Sequence, residues 1–366
     1  MGFLDLQYNT FGLDLNDSSL KIVKLKKKHI GFGLASYNET RIVHGIIEDG
    51  VIKDEEALAK IIKYSCATVK GKKIKTKYVV ASLPEEKSFL QVIQMPKMTE
   101  EELKLAVPFE AENYIPMPID EVYLDFQVIS PIKDYFNHIE VLIVATPKKI
   151  VDSYVSCFKK AGLVPIVLEV ESEAIARALI KKETNSSLTV LIDFGENNTN
   201  FIVFSGNSIR FTSSIPISSQ LLTKAISKEL KIDLHEAEKL KIEYGITKGK
   251  VSTKAEKVSQ IIKPVVEDLT TQIKKYLNFY RDHSSYEYLL HDGKTEKVLL
   301  CGGGAELKGL AEFISKQLEI PVEMGNPLVN FLSKKPKSII EKDLPSFTTA
   351  IGLALRQANN NFESII

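Results

Sequence analysis

The stretch Phe11-Gly12-Leu13-Asp14-Leu15-Asn16-Asp17-Ser18-Ser19-Leu20-Lys21-Ile22-Val23-Lys24-Leu25 decides how the chain is read. An apolar segment runs to Leu15, a polar turn follows over Asn16 to Ser19, and apolar residues then alternate from Leu20, which is the pattern of a β-hairpin. It recurs as Leu191-Ile192-Asp193-Phe194, then Gly195-Glu196-Asn197-Asn198-Thr199, then Asn200-Phe201-Ile202-Val203-Phe204. In each copy an aspartate closes an apolar strand beside a small polar turn, so its carboxylate faces whatever lies over that turn. Self-similarity of this kind predicts two related lobes. A third element, Val298 to Cys301 followed by Gly302-Gly303-Gly304-Ala305 and the amphipathic Leu307 to Leu318, reads as a buried strand, a glycine run and a helix. Such a run lets a backbone approach a ligand closely, with helix amides available to an anion. It is neither a Walker loop, since no GK[ST] follows, nor a dinucleotide fingerprint, since Leu307 stands where the third glycine would be. A strand-end aspartate alone also serves ordinary turn chemistry; the third element is what raises a functional reading of the two hairpins.

Composition narrows the class. At roughly 100–200 residues per domain, 366 residues give two or three domains, and 48 basic against 47 acidic side chains leave a net charge of +1. Bulk electrostatic capture of nucleic acid is therefore not expected. With 44% apolar and 26% charged residues the chain can build an ordinary core. Cys66, Cys157 and Cys301 are far apart and in no CxxC spacing, and the six histidines are scattered, so neither a disulfide framework nor a zinc site is predicted. A reducing cytoplasm is the expected home. No apolar run approaches the ~20 residues of a membrane span, and MGFLDLQYNT lacks the pattern of a signal peptide. Any membrane association is expected through a partner. The lysine clusters Lys24 to Lys28 and Lys70 to Lys77 read as solvated loops or edges, and Asn359 to Ile366 as a frayed tail.

The two aspartate-tipped hairpins and the strand–glycine–helix element resemble the two phosphate motifs and the adenosine motif of the actin-like ATPase superfamily. Within it the chain resembles the PilM family of type IV pilus assembly. Besides Gly12 to Lys21, the likeness rests on Met98 to Leu103, Phe109 to Glu112 with Ile115-Pro116, Glu171 to Ala178, Leu300 to Pro327 and Thr349 to Arg356. The fold class this implies is α/β, the actin-like ATPase fold: two lobes of duplicated ribonuclease-H-like subdomains with an inserted α+β 1C (SHS2-like) subdomain. Subdomain 1A would comprise 1–84, 166–186 and 346–358, the inserted subdomain 1C 85–165, subdomain 2A 187–218 and 296–345, and subdomain 2B 219–295.

The resemblance also implies a ligand, ATP with Mg2+. Asp14 and Asp193 would orient the magnesium, mainly through water. Asn16, Ser18, Ser19 and Lys21 would face the phosphates from one lobe, and Gly195 and Thr199 from the other. Gly302, Gly303 and Gly304 would pass under the nucleoside, and Glu238 and Lys241, one helical turn apart, would reach the ribose. Glu171, ahead of a helix expected over Ala174 to Ile180, would be the catalytic base, although a glutamate at a helix start also simply compensates the dipole. Asp17 and Glu196 depart from the family pattern; pointed inward, they would oppose a polyphosphate. Weak ATPase activity at most is implied.

Pro84 to Pro165 reads differently. Ser88 to Gln94 is an expected strand, and Thr99 with Glu102 has capping-box spacing at the start of a helix whose apolar stripe is Leu103, Val107, Ala111 and Tyr114. Pro108 predicts a kink or a restarted helix. Strands over Val122 to Ile129 and Ile139 to Ala145 and a helix over Pro147 to Lys160 follow, with Asp134 to Asn137 between the strands. In the PilM family a groove beside this insert receives the short cytoplasmic N-terminal peptide of a PilN-type membrane protein. An extended peptide can add to a sheet edge while its apolar side chains fill pockets. Phe109, Tyr114, Ile115 and Met117 are the candidate groove residues, each equally readable as core. The resemblance thus implies a cytoplasmic ATP-binding scaffold at the inner membrane, closed by nucleotide and tied to the membrane by that peptide, with a pilus motor ATPase as a further partner. The alternatives are a nucleotide-free scaffold of the same fold, a filament-forming membrane tether like FtsA, a related secretion system as the host machine, or a small-molecule kinase, for which no substrate-loop aspartate stands out.

Overall fold

The hairpin of the first motif is the centre of a six-stranded sheet. In the computed structural model, which describes residues 9–29, 31–129, 138–181, 188–246, 252–283, 295–331 and 343–358, strand β1 (Phe11–Leu15) pairs antiparallel with β2 (Ser19–Lys27), placing Asp14 opposite Lys21. The chain continues through β3 (Phe32–Arg41), the short pair β4 (Ile47–Glu48) and β5 (Val51–Ile52), helix α1 (Glu55–Ala67), β6 (Lys70–Gly71) and β7 (Tyr78–Leu83). Next come β8 (Phe89–Pro96), α2 (Glu100–Ala111), β9 (Val122–Ile129), β10 (His138–Pro147), α3 (Lys148–Lys160), β11 (Val164–Val170) and α4 (Glu171–Leu179). The large sheet has the order β11-β7-β1-β2-β3-β6, and β8-β10-β9 form a separate antiparallel sheet.

Local chemistry sets these elements. Asp54 caps α1 by accepting the Ala57 amide, and Thr99 and Glu102 close the expected capping box at the start of α2. Pro108 lies in the last turn of α2, and the helix runs through it to Ala111 without restarting. The α2 stripe Leu103, Val107 and Ala111 packs with Ile93, Met95 and Val141 of the small sheet. On the large sheet Leu13, Ile22 and Ala81 pack with Leu58 and Ile62 of α1 and Tyr154 and Phe158 of α3.

The second unit repeats the first sheet. Strands β12 (Leu188–Phe194), β13 (Thr199–Ser205) and β14 (Ser208–Ile215) are followed by α5 (Ser219–Leu230), α6 (Leu234–Tyr244), the long α7 (Thr253–His283), β15 (Thr295–Cys301), α8 (Leu310–Leu318) and β16 (Val322–Met324). The order β14-β13-β12-β15-β16 has antiparallel β14/β13/β12 and parallel β12/β15/β16. It matches β3-β2-β1-β7-β11, with antiparallel β3/β2/β1 and parallel β1/β7/β11. A helical stripe of α7, including Val258, Ile262, Val266, Leu269 and Ile273, covers this sheet's core. One compact unit contains residues 1–183, 327–342 and 347–366, the other 184–326 and 343–346. The turn Asp134 to Asn137 and the tail Asn359 to Ile366 lie outside the described residues.

Helix α9 (Thr348–Ala358) returns the end of the chain to the first unit and packs on α4. Gly352 is what lets it in. A Cβ there would stand 1.8 Å from the Ala174 carbonyl oxygen. Gly352→Ala is therefore expected to cost about 3 kcal/mol or more through overpacking. Gly303→Ala, whose Cβ would meet only the Ser346 Cβ at 3.9 Å, should leave thermal unfolding unchanged; circular-dichroism melts of the two variants make the comparison.

Candidate functional site

In the first unit the turn after Asp14 is organised by Asn16. Its Oδ1 accepts the amides of Ser18 and Ser19 at 3.1 and 2.9 Å and both hydroxyls at 3.3 and 3.2 Å, an Asx-type turn. Asp17 does not crowd this turn: its two oxygens accept the amides of Asp49 and Gly50 at 2.8 and 2.9 Å, so its charge is directed to the β4–β5 hairpin. Lys21 is buried, donates to Ser19 Oγ at 2.9 Å and lies 3.7 Å from Glu39. Asp14 is buried and accepts the Ser82 hydroxyl at 3.1 Å. Burial pushes its carboxyl above the usual carboxylate range, against the pull of Lys21 and the Ser82 bond.

Parallel pairing puts Leu13 beside Ala81 and Ala81 beside Leu168. Asp14, Ser82 and the residue after β11, Glu171, thus lie at the carboxyl ends of three adjacent parallel strands, where open α/β sheets take their ligands. Glu171 is buried and is the first residue of α4. The helix starts three residues earlier than the sequence pattern predicts, because the Glu85 carboxylate accepts the Ser172 amide at 3.0 Å and satisfies a first-turn donor.

The second unit assembles a matching set with different atoms. Asp193 pairs with Asn200 and Cys301 in the ladder, and Cys301 Sγ lies 3.9 Å from Asp193 Oδ1. The Gly195 carbonyl accepts the Ser219 amide at 3.0 Å, starting α5. Ser219 in turn meets Lys241 Nζ at 3.1 Å through its carbonyl and 3.2 Å through its hydroxyl. Lys241 is paired with Glu238 at 2.8 Å, and Glu238 also accepts the Thr223 hydroxyl. Asp193, Gly195, Glu238, Lys241 and the glycine run are brought together around Ser219.

Three expectations change here. Thr199 presents no hydroxyl to a ligand: it is fully buried and donates to the Ile217 carbonyl. The glycine run does not open a helix, since turns intervene and α8 begins only at Leu310, after the left-handed Gly309. Its amides also serve the fold: those of Gly302 and Gly304 donate to the carbonyls of Pro345 and Phe194. Gly302 and Gly304 are glycine because a Cβ would come within 2.3 Å of Asp193 Oδ1 and 2.7 Å of the Phe194 ring respectively; Gly303 alone of the three is exposed. Ser82 and Ser219 were not singled out from sequence; the signals were a serine ending the apolar run Tyr78 to Leu83 and a Ser-Ser pair opening a helix.

The first unit also holds a cleft of about 540 Å³, within the ~300–1,000 Å³ typical of ligand sites. Its walls are apolar, with Val144 of β10, Val151 and Val155 of α3, and Ile166 and Val167 of β11. Strands β9 and β11 both line it, and each is the edge strand of its own sheet. None of the four candidate groove residues lines this cleft. Ile115 is buried in the core of the small sheet, Met117 packs against that core, and Phe109 and Tyr114 stand exposed, 75% and 42%, on and just after α2. Helical periodicity marked α2 as a buried face; it could not show that the open edges lie on β9 and β11.

Lys21→Met removes the cation opposite a buried Asp14 and should destabilise by about 3 kcal/mol. Adding Asp14→Asn should recover most of that loss. Urea unfolding of the two single variants and the double variant reads this coupling.

The comparisons with known proteins agree with this architecture. The chain is 27% identical over 231 residues to the cell division protein FtsA of Neisseria meningitidis serogroup B, covering 58% of this chain and 53% of that protein. It is 25% identical to the FtsA of Borreliella burgdorferi over 71% of this chain and 67% of that protein. The chain thus spans about half the length of the Neisseria relative. Among solved structures, a PilM-PilN type IV pilus biogenesis complex superposes with a TM-score of 0.80 at 28% identity, over 96% of this chain and 99% of that one. MreB5 of Spiroplasma citri bound to AMPPNP superposes at 0.57 with 14% identity over 95% of both chains, a likeness of fold. The fold is the actin-like ATPase fold. The family model described as type IV pilus assembly protein PilM matches residues 12–358, and the chain belongs to that family.

Proposed function

We propose that the chain is an actin-like scaffold of type IV pilus assembly that binds Mg-ATP and docks the extended N-terminal peptide of a PilN-type inner-membrane protein in the cleft of the first unit. The observation that carries the reading is the cleft itself: apolar walls flanked by two edge strands, in a chain whose structural relative is a PilM-PilN complex. An extended segment placed there gains main-chain hydrogen bonds from a sheet edge and side-chain burial from the valines. Membrane attachment through that partner fits a chain in which no described helix is long and apolar enough to cross a membrane. The inserted segment 85–165 supplies β9, β10 and α3 to the cleft, in keeping with its proposed role as the partner-binding subdomain.

For the nucleotide, the donor set fits magnesium carried by a phosphate ligand. Asp14 would offer magnesium a strand-end carboxylate in the first unit, and Asp193 would offer one in the second. Magnesium keeps most of its waters and takes few protein carboxylates. Asn16 shapes the turn that would present Ser18, Ser19 and Lys21 to phosphate, while Gly195, Gly303, Glu238 and Lys241 would serve the rest of the nucleotide. Bound magnesium would neutralise phosphate charge; a role for Glu171 as the base that activates water rests on its place at the end of β11.

Titration calorimetry with Mg-ATP tests the nucleotide. Binding to the wild type with a loss of about tenfold or more, ~1.4 kcal/mol, in Asp193→Ala is expected; silence of the wild type at millimolar ATP would leave a nucleotide-free scaffold. For the peptide, Val155→Asp puts a charge on the apolar wall and should abolish binding of a synthetic PilN-type N-terminal peptide with folding intact. Phe109→Ala, on the α2 surface away from the cleft, should bind it normally, and the reverse result would move the site to α2.

A further inference from the structure

The floor of the cleft is charged, and its charges do not balance. Glu169 and Glu173 line it from β11 and α4, and Asp125 from β9. Two guanidiniums answer these three carboxylates. Arg177 of α4 takes Glu169 through both nitrogens, at 2.5 and 2.7 Å, and Arg356 of α9 holds the same Glu169. Glu173, with 11% of its side chain exposed, is left with Arg356 at 3.9 Å. Asp125 accepts its neighbour Phe126's amide on Oδ1, while its Oδ2 is buried without a hydrogen-bond partner among the described residues. On α3, Asp152 and Lys159 add one charge of each sign to the wall, and Asp152 also accepts the Tyr123 hydroxyl.

Resting on the docking reading above, we infer that Glu173 and Asp125 form a subsite for one cationic group of the docked peptide, a basic side chain or its α-amino group. The peptide that fits is apolar along the valine walls and carries one positive charge at the Glu173 end. A buried carboxylate whose cation, Arg356, stands 3.9 Å away and is already held by Glu169 is costly to keep ionised, which favours a proton on it. Burial, reinforced by Glu169 and Asp125 and only partly offset by Arg356 and Arg177, pushes the Glu173 carboxyl up to about 7. An incoming cation favours the ionised form and expels that proton. Affinity for a peptide whose cation is a lysine or arginine side chain therefore rises as pH climbs through about 7, with proton release on binding.

The sign for stability is opposite. A carboxyl raised in the folded state lets the folded chain hold a proton that the unfolded chain has lost, so stability falls as pH climbs toward and through about 7. Glu173→Gln should accordingly fold and melt higher than the wild type at pH 8, which provides the folding control.

The experiment titrates wild type, Glu173→Gln and Asp125→Asn with the synthetic N-terminal peptide of the PilN-type protein from the same organism. The peptide is used unmodified, acetylated at its amino terminus, and with each basic residue replaced in turn by norleucine. One of these neutralisations is expected to weaken wild-type binding by about tenfold or more, and the sensitive arm names the cation. Glu173→Gln should bind the unmodified peptide about as weakly, no longer distinguish the peptides, and lose the pH dependence. Asp125→Asn should show a smaller loss of the same kind. Binding that no neutralisation alters, or that the neutralisations alter equally in wild type and Glu173→Gln, overturns the subsite while leaving the docking reading standing. If the wild type binds none of the peptides, the docking reading fails and the subsite falls with it.

Discussion

The carboxylate of Glu169 has been taken almost wholly out of water, with 1% of its side chain exposed, and the first unit closes around it. Burial alone would drive that carboxyl up, yet Arg177 and Arg356 hold it below the usual carboxylate range. Desolvating a carboxylate costs several kcal/mol, which is recovered only when the geometry is good and the lone pairs are filled. Both conditions are met, because Arg177 grips both oxygens and Arg356 adds a third donor. The three residues come from β11, α4 and α9, so the pairing joins the end of the chain to strands laid down much earlier. Arg177 also donates to the Gly352 carbonyl at 3.1 Å, and Gly352 is the position where α9 meets the Ala174 backbone. An apolar cluster of Val80, Val167, Ala174 and Leu353 lies across the same junction. Ion pair, glycine contact and apolar cluster all locate α9 at one place.

Duplication explains why the two units present aspartates in the same way, and divergence explains why they need not act alike. In the first sheet Asp14 has Lys21 across the hairpin and Ser82 on the neighbouring parallel strand. In the second, Asp193 has Asn200 across the hairpin and Cys301 on the parallel strand. A buried lysine and a hydroxyl donor have become an amide and a thiol, a weak donor. The first aspartate therefore sits in a deep, charge-compensated place and the second in a more open one.

Much of this was legible before any coordinates. The hairpins were readable because alternation with period two and a polar turn leave few other structures, and α2 because Thr99 and Glu102 satisfy its first amides. What could not be read were the uses of side chains whose partners are distant in sequence. The sequence left open which way Asp17 points, and the Asp49 and Gly50 amides hold it to the β4–β5 hairpin. Thr199 looked exposed in a turn, yet the Ile217 carbonyl holds its hydroxyl inside. The glycine run suggested a helix start because glycine permits close approach, and the close approach proved to be to Asp193 and Phe194 of the same unit. The four candidate groove residues, Phe109, Tyr114, Ile115 and Met117, do not line the cleft. Apolar periodicity reports which face of a helix is buried, whereas the cleft is made by strand edges, whose exposure is a property of sheet order and leaves no period in the sequence.

The segment Glu169 to Glu173 carries glutamate at every second position, which in a continuous strand would place all three on one face. The strand stops at Val170 and the helix begins at Glu171, so Glu171 and Glu173 point about 200° apart around α4. This single change of secondary structure separates what the three glutamates do. Glu169 enters the ion clamp, Glu171 stays at the strand ends beside Ser82 and Asp14, and Glu173 turns to the cleft. Two of the three share a partner. Arg356 serves both Glu169 and Glu173, and Glu169 stands level with Ser82, which bonds Asp14. A cation arriving at Glu173 would compete with Arg356 for that carboxylate, and Arg356 is the same guanidinium that fixes β11 against α9.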